Sequence, residues 1–348
     1  MLFQKNKGRA GAFAALAVTV ALVATGCAAS DDGGGDGGGS GGDSGNLAIT
    51  FLPKNLGNAY FDTSDEGGKK AIEEFGGTYA EVGPAEASPD AQVSYINTLT
   101  QQGVGGIAVS ANDPKAICDA LNEARDAGVK VVTFDSDTDP ECRDIFINQA
   151  TAEGIAKIQV DLIAEQIGDE GEIAILSATA NATNQNEWIE LMKTELEANH
   201  PNITLVDTVY GDDDDQTSFD KTAALLQTHP ELKGIVSPTT VGIAAAARYL
   251  QTSEFKGKVA LTGLGTPNQM RDYVEDGTVT AFALWNPADL GYLAAYAAKA
   301  LIAGDITGKS GDKFSAGDLG DFEVGDDGIV LLGDPYTFTK ENIGDFDF

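Results

Sequence analysis

Val131-Val132-Thr133-Phe134-Asp135-Ser136-Asp137-Thr138 is an apolar, β-branched run that releases two carboxylates at its C-terminal end. Open α/β sheets bind ligands in the crevice outside the carboxyl ends of their strands, so Asp135 stands where a ligand would sit. Outward from this run, strand-like and helix-like segments alternate. Before it come strands at 47–52, 78–82 and 106–110, with helices expected at about 63–75, 89–102 and 114–127. Ser88-Pro89-Asp90 supplies an N-cap with proline at the first helical position. The pattern restarts near residue 151, with helices to about 167 and over 185–199, 216–228, 241–250 and 287–303. Strands fall between them at 172–177, 203–210, 233–237, 259–262 and 282–285. Residues 322–348 carry short β-like pieces such as Gly328-Ile329-Val330-Leu331-Leu332. This alternation predicts an α/β protein of two similar lobes, each a parallel sheet covered by helices on both faces.

The N-terminus reads as a processing segment. Lys5, Lys7 and Arg9 form a positive start, residues 10–24 are apolar, and Thr25-Gly26-Cys27 closes the segment. The apolar stretch is shorter than the roughly 20 residues of a spanning helix. A cysteine in this position resembles the lipobox of bacterial lipoproteins, although Ala24 stands where leucine is usual. The resemblance implies a signal peptide over 1–26, a lipid on Cys27, and anchoring to the outer face of the cell membrane. Residues 28–46 contain nine glycines among serines and aspartates, a composition that buries no core and predicts a flexible tether over 27–46. No strand precedes these glycines and no Gly-Lys-Ser/Thr follows, so they are not a phosphate loop.

Charge narrows the partners. The formal charge is −32, and loss of residues 1–26 removes three cations and no acids, giving −35. Such a surface repels phosphate backbones, so no nucleic-acid partner is expected. The chain is expected to be a monomer without cofactor or metal; His200 and His229, each before a proline, read as C-terminal helix positions. Asp212-Asp213-Asp214-Asp215 lacks the glycine and terminal glutamate of a calcium loop and reads as a solvated loop feeding an N-cap. Beyond Cys27, Cys118 and Cys142 are a candidate disulfide in an exported chain; two buried free thiols are the alternative, and spacing does not decide between them. An enzyme is the competing class. Gly263-x-Gly265-x-x-Asn268 is only a broken dinucleotide fingerprint, and no Gly-x-Ser-x-Gly or His-Glu-x-x-His is present, so no catalytic residue is expected.

From residue 47 onward the chain resembles the periplasmic-type sugar-binding proteins of ABC transporters, in the branch of rhamnose and autoinducer-2 receptors. The resemblance is carried by Phe51-Leu52-Pro53-Lys54, Asp135-Ser136-Asp137-Thr138, Pro140-Glu141-Cys142-Arg143, Ile147-Asn148-Gln149, Asn184-Gln185-Asn186-Glu187-Trp188, Thr266-Pro267-Asn268 and Phe282-Ala283-Leu284-Trp285. It implies a type I periplasmic-binding-protein fold with three crossings. Lobe 1 would comprise 47–148 with about 287–320, and lobe 2 would comprise 149–286 with about 321–348. It also implies a small sugar in the inter-lobe cleft and a membrane permease as partner. Matching ligand positions are Lys54, Tyr60, Asp135, Asn184, Gln185, Pro238, Thr240, Trp285 and Asn286. Lysine donates to hydroxyls, Asp135 accepts from vicinal hydroxyls, and the amides do both. Trp285 offers a face for a sugar ring or packs in the core. Autoinducer-2 receptors show Asp-Gln-Asn where this chain has Asn184-Gln185-Asn186, and Pro-Asp-Ala-Asn-Ala where it has Pro238-Thr239-Thr240-Val241-Gly242. The second version looks like the rhamnose branch. Ribose-type receptors carry an aspartate that Gly263-Leu264-Gly265 lacks, so rhamnose is the expected ligand and autoinducer-2 the alternative.

Overall fold

The computed structural model describes residues 45–348. The signal segment, Cys27 and most of the tether expected above lie outside the described residues. Along the chain, β1 (Ala48–Leu52), α1 (Ala59–Glu74), β2 (Thr78–Glu81), α2 (Pro89–Gln102), β3 (Gly106–Val109), α3 (Cys118–Asp126), β4 (Lys130–Phe134) and β5 (Ile145–Asn148) form the first series. The second comprises α4 (Ala152–Ile167), β6 (Gly171–Ser177), α5 (Thr183–Asn199), β7 (Ile203–Tyr210), α6 (Asp215–Thr228), β8 (Leu232–Ser237), α7 (Thr240–Thr252), β9 (Ala260–Gly263), α8 (Pro267–Glu275) and β10 (Ala281–Leu284). The return is α9 (Pro287–Ala303), the hairpin β11 (Lys313–Ser315) and β12 (Asp321–Glu323), then β13 (Ile329–Leu331) and β14 (Tyr336–Thr339).

The first sheet runs β13-β5-β4-β3-β1-β2, all parallel, and the second runs β7-β6-β8-β9, also parallel. A bridge from Leu264 to Ala283 brings β10 beside β9, and β14 pairs antiparallel with β10. Both faces of β3 and β4 are buried, which is why they read as continuous apolar runs rather than alternating ones. The expected cap at Ser88 forms: its side chain accepts from the Ala91 N–H, and Gly103 ends α2 in the left-handed region at φ +66°. Three elements have no counterpart among the expected segments: the four-residue β5, the nine-residue α8 and the three-residue β11.

The chain passes between the lobes at 149–151, at 285–286 and at 332–335. The third passage corrects the boundary expected near 320. Residues 329–331 stay with the first sheet, Val330 opposite Ile147, and the Leu332 N–H donates to the Asn148 carbonyl at 2.8 Å. The last passage therefore runs alongside the first. Helix α9 returns against α1 through backbone contact. A Cβ on Gly67 would lie 1.9 Å from the Ala288 carbonyl oxygen, and one on Gly291 would lie 1.7 Å from that of Ser64.

The loop after β4 is braced twice. Arg143 donates from Nε and Nη2 to the two carboxylate oxygens of Asp137, each at 2.7 Å, and from Nη1 to the Asp327 carbonyl at 2.9 Å. Asp137 is thus a loop-holding residue, and Arg143 ties that loop to the approach of β13. Cys118, at the start of α3, is disulfide-bonded to Cys142, with the Cα atoms 5.2 Å apart.

Two outcomes follow from this bracing. Arg143→Met is expected to destabilise the domain by about 3 kcal/mol, since it strips a mostly buried carboxylate of its bidentate partner. Urea unfolding measures the loss, and a change below about 1 kcal/mol, the worth of a surface pair, would show that solvent replaces the guanidinium. Thiol titration of the denatured, unreduced domain lacking Cys27 is expected to find no reactive thiol. Two reactive thiols would contradict the bond.

Candidate functional site

Asp135 leaves β4 with φ +61°, a left-handed conformation that few non-glycine residues adopt. The Ser136 N–H donates back to the Phe134 carbonyl at 2.6 Å, so Asp135 is the central residue of a tight three-residue turn of the strained, positive-φ kind. That turn points the carboxylate along the sheet edge instead of out into solvent. There the residue is 6% exposed and its Oδ2 accepts from the Ser110 hydroxyl at 2.7 Å, with the Lys54 ammonium 3.7 Å away. Lys54 follows β1, and its main-chain carbonyl is held by the Asn112 side chain at 2.9 Å.

The second lobe meets these groups directly. Lys54 Nζ donates to Asn184 Oδ1 at 3.1 Å, and Asn184 Nδ2 donates to the Asp135 carbonyl at 3.3 Å. Asn184 and Gln185 lie in the first turn of α5, where Ala182 provides no side-chain cap; Thr239 likewise gives α7 none. In α5 the Gln185 N–H donates instead to Asn184 Oδ1 at 2.9 Å, so Asn184 serves its own helix start as well as the other lobe. Gln185 Oε1 is buried without a hydrogen-bond partner, an acceptor left for something else.

Between the lobes is a small, partly open cavity bounded by residues of both. Lys54, Tyr60, Asp135, Asn184, Gln185, Pro238, Thr240 and Trp285, all named from the sequence, line it together. Asn286 does not. Its side chain accepts from the Ala288 N–H at 3.0 Å and caps α9. Trp285 is packed into the core and also borders the cavity. It is 2% exposed, its Nε1 donates to the Tyr60 hydroxyl at 2.9 Å, and its ring stands edge-to-face with Tyr60 and Trp188 while lining the cavity. Burial pushes the Tyr60 phenol well above its usual range, and the nearby Asp135 charge adds to this.

Sequence reasoning missed Asn58, Phe61, Trp188, Asp213, Leu264 and Leu284. Trp188 lies one helical turn beyond Asn184, on the same face, and that spacing is readable. Asp213 corrects the reading of the four-aspartate run as solvated. Asp214 does cap α6, accepting from the Thr217 N–H at 2.7 Å. Asp212 and Asp213, however, have φ of +56° and +50°, and the Asp214 N–H donates to the Gly211 carbonyl at 3.0 Å. This is a type I′ turn, which aspartate tolerates better than most residues. It carries the Asp213 carboxylate to the cavity, where Oδ1 accepts from the Thr239 hydroxyl at 2.5 Å.

Residues 49–306 match the periplasmic binding protein domain. The chain belongs to that family. A sugar ABC transporter from Actinomyces odontolyticus ATCC 17982 is 54% identical, over 86% of this chain and 97% of that one, with a TM-score of 0.71. An ABC transporter solute binding protein from Clostridium phytofermentas with bound L-rhamnose is 40% identical, over 85% and 97%, with a TM-score of 0.83. LsrB from Clostridium saccharobutylicum in complex with AI-2 is 30% identical, over 86% and 99%, with a TM-score of 0.82. As a periplasmic binding protein the chain has the two-lobed α/β fold that these structures share.

Elsewhere, Asp161, Glu195 and His200 lie within 4.8 Å of one another. Lys157 already sits 2.7 Å from Asp161 and 3.5 Å from Glu195, so the group is an ion-pair network. His200 closes α5 and contacts Asp169, and His229 closes α6 and contacts Asp207.

Trp188 and Trp285 are the chain's only tryptophans, and both line the cavity. Ligand entry is therefore expected to shift intrinsic tryptophan emission and to reduce its quenching by acrylamide. A ligand that saturates the protein while leaving both unchanged binds somewhere else.

Proposed function

We propose that this periplasmic binding protein is an extracytoplasmic solute-binding lipoprotein of a carbohydrate ABC importer, tethered by lipid on Cys27. In this reading it encloses one small sugar, a six-carbon deoxy-sugar such as L-rhamnose, and delivers it to a membrane permease. The observation that carries the reading is the opposition of hydrogen-bonding groups from two lobes across one small cavity with an aromatic wall. Lys54 and Asp135 face it from the first lobe, and Asn184, Gln185 and Thr240 face it from the second. Such groups bond hydroxyls, while Tyr60, Trp188 and Trp285 suit the apolar face and methyl group of a deoxy-pyranose. The relative with bound L-rhamnose, 40% identical, supports the choice of sugar. Catalysis is no part of this reading, since the cavity groups serve to hold a ligand.

Autoinducer-2 is the second reading, favoured by the 30% identity to the LsrB that holds it. Asn184 speaks against it. Its amide donates to the Asp135 carbonyl while its oxygen accepts from Lys54, a pair of bonds that a carboxylate cannot make. The aspartate of the autoinducer-2 pattern would compete with Asp135 for the one lysine.

Calorimetry with L-rhamnose, D-ribose and borate-free autoinducer-2 tests the reading. L-rhamnose is expected to bind, with discrimination against analogues that leave the site's polar groups unpaired reaching on the order of 10⁴-fold. Asp135→Asn is expected to abolish measurable binding without unfolding the domain, because asparagine tolerates the left-handed turn. Tight autoinducer-2 binding without L-rhamnose binding would reverse the order of the two readings. Small-angle scattering is expected to show a smaller radius of gyration with sugar than without it, since only closed lobes bring all these groups to one molecule.

A further inference from the structure

Two carboxyls from opposite lobes face this cavity, yet among the described residues a single lysine lines it. Lys54 lies 3.7 Å from Asp135 and is hydrogen-bonded to Asn184, so its charge is already engaged. Among the described residues Asp213 has no cation within ion-pair distance, and its side-chain hydrogen-bond partner is the neutral Thr239 hydroxyl. A second carboxylate enclosed in so small a space without its own cation is expensive. We propose that Asp213 meets the ligand as a neutral carboxylic acid, its Oδ1 held by Thr239 and its other oxygen donating a hydrogen bond to a ligand oxygen from the second lobe. This rests on the sugar-binding reading and deepens it. A neutral acid reads a hydroxyl as donor and acceptor together, which the carboxylate of Asp135 cannot do.

The electrostatics agree in direction. Burial pushes the Asp213 carboxyl up; the Thr239 hydrogen bond and the Lys54 charge oppose this, while Asp135 and Asp212 add to it. Those three charged groups are the ones that face it: Lys54 after β1, Asp135 after β4, and Asp212 on its own turn. The sign follows. A carboxyl whose value rises on enclosure takes up a proton as the lobes close, so ligand affinity is full at low pH and declines as pH rises through the raised value.

The full-length protein is titrated calorimetrically with L-rhamnose, D-ribose, D-arabinose and D-galactose between about pH 5 and 9, as wild type, Asp213→Asn, Asp213→Ala and Asp212→Asn. The probe is whichever of the four binds the wild type. Its Kd is expected to rise with pH in wild type and in Asp212→Asn. Asp213→Asn, whose amide N–H₂ replaces the acid O–H, is expected to bind like wild type at low pH and to lose the decline. Asp213→Ala is expected to weaken binding by about tenfold or more at low pH, the worth of a lost ligand hydrogen bond. Thermal unfolding without sugar checks that each variant is folded, and a misfolded Asp213→Ala leaves the decision to Asp213→Asn. Wild-type affinity that does not fall with pH overturns the proposal, as does an Asp213→Asn profile with the wild-type slope. If none of the four sugars binds wild type, the sugar reading falls and this inference falls with it.

Discussion

Asp135 carries a charge into a place where water cannot solvate it, and the cleft is built around that fact. The residue is 6% exposed and its φ is +61°, so both its position and its backbone are unfavourable in isolation. Ser110 and Lys54 hold the carboxylate, Gln149 Nε2 and Asn184 Nδ2 hold its carbonyl, and the strand registers on either side fix where those partners stand. Gln92 extends the network by donating to the Pro53 and Ser110 carbonyls and accepting from the Asn112 N–H. A buried charge with this many directed partners has one geometry. That rigidity is what a recognition site needs before its ligand arrives.

The opposite lobe supplies the contrast. Its groups at the cleft belong to helix starts and to a type I′ turn, and the Gln185 side-chain carbonyl among them has no partner. With the lobes together, Asn184 spans to Lys54 and Asp135. The rest of that surface gains little from closure until a molecule bearing hydroxyls occupies the space between. A ligand therefore adds to bonds that already cross the cleft, and its differential interaction with the closed form is what shifts the equilibrium.

Much of this was legible in the sequence because it depends on strand ends. The βα alternation predicted two parallel sheets, and Lys54, Asp135 and Pro238 follow strands whose apolar runs are unmistakable. Asn184, Gln185 and Thr240 were named through a resemblance, and their helix-start positions agree with it. What was missed has physical reasons. Asn286 was likewise named through the resemblance; it lies outside the cavity lining, and a polar residue before Pro287 is also an N-cap, which is the bond it makes here. Asp213 stood inside a run of four acids, which favours a solvated reading by composition. Its place just beyond Tyr210, the end of β7, obeyed the same strand-end rule that singled out Asp135. The return of β13 to the first sheet was unreadable locally, since three residues carry no register and only their long-range pairing with β5 assigns them.

The aromatic wall determines what kind of hydroxylated molecule gains from this arrangement. Tyr60, Trp285 and Trp188 stand in successive edge-to-face contact, and the Tyr60 hydroxyl accepts from the Trp285 N–H while keeping its own O–H as a donor at the edge of the wall. Otherwise the wall presents hydrocarbon more than hydrogen-bonding capacity. A ligand rich in hydroxyls all round would leave some of them desolvated against it, each an unpaired polar group. A ligand with one apolar edge would not. Lys54, Asp135, Asn184, Gln185 and Asp213 add hydrogen-bonding groups to the same cavity, and Trp188 shares a face of α5 with Asn184, so aromatic and polar surface are interleaved around the space.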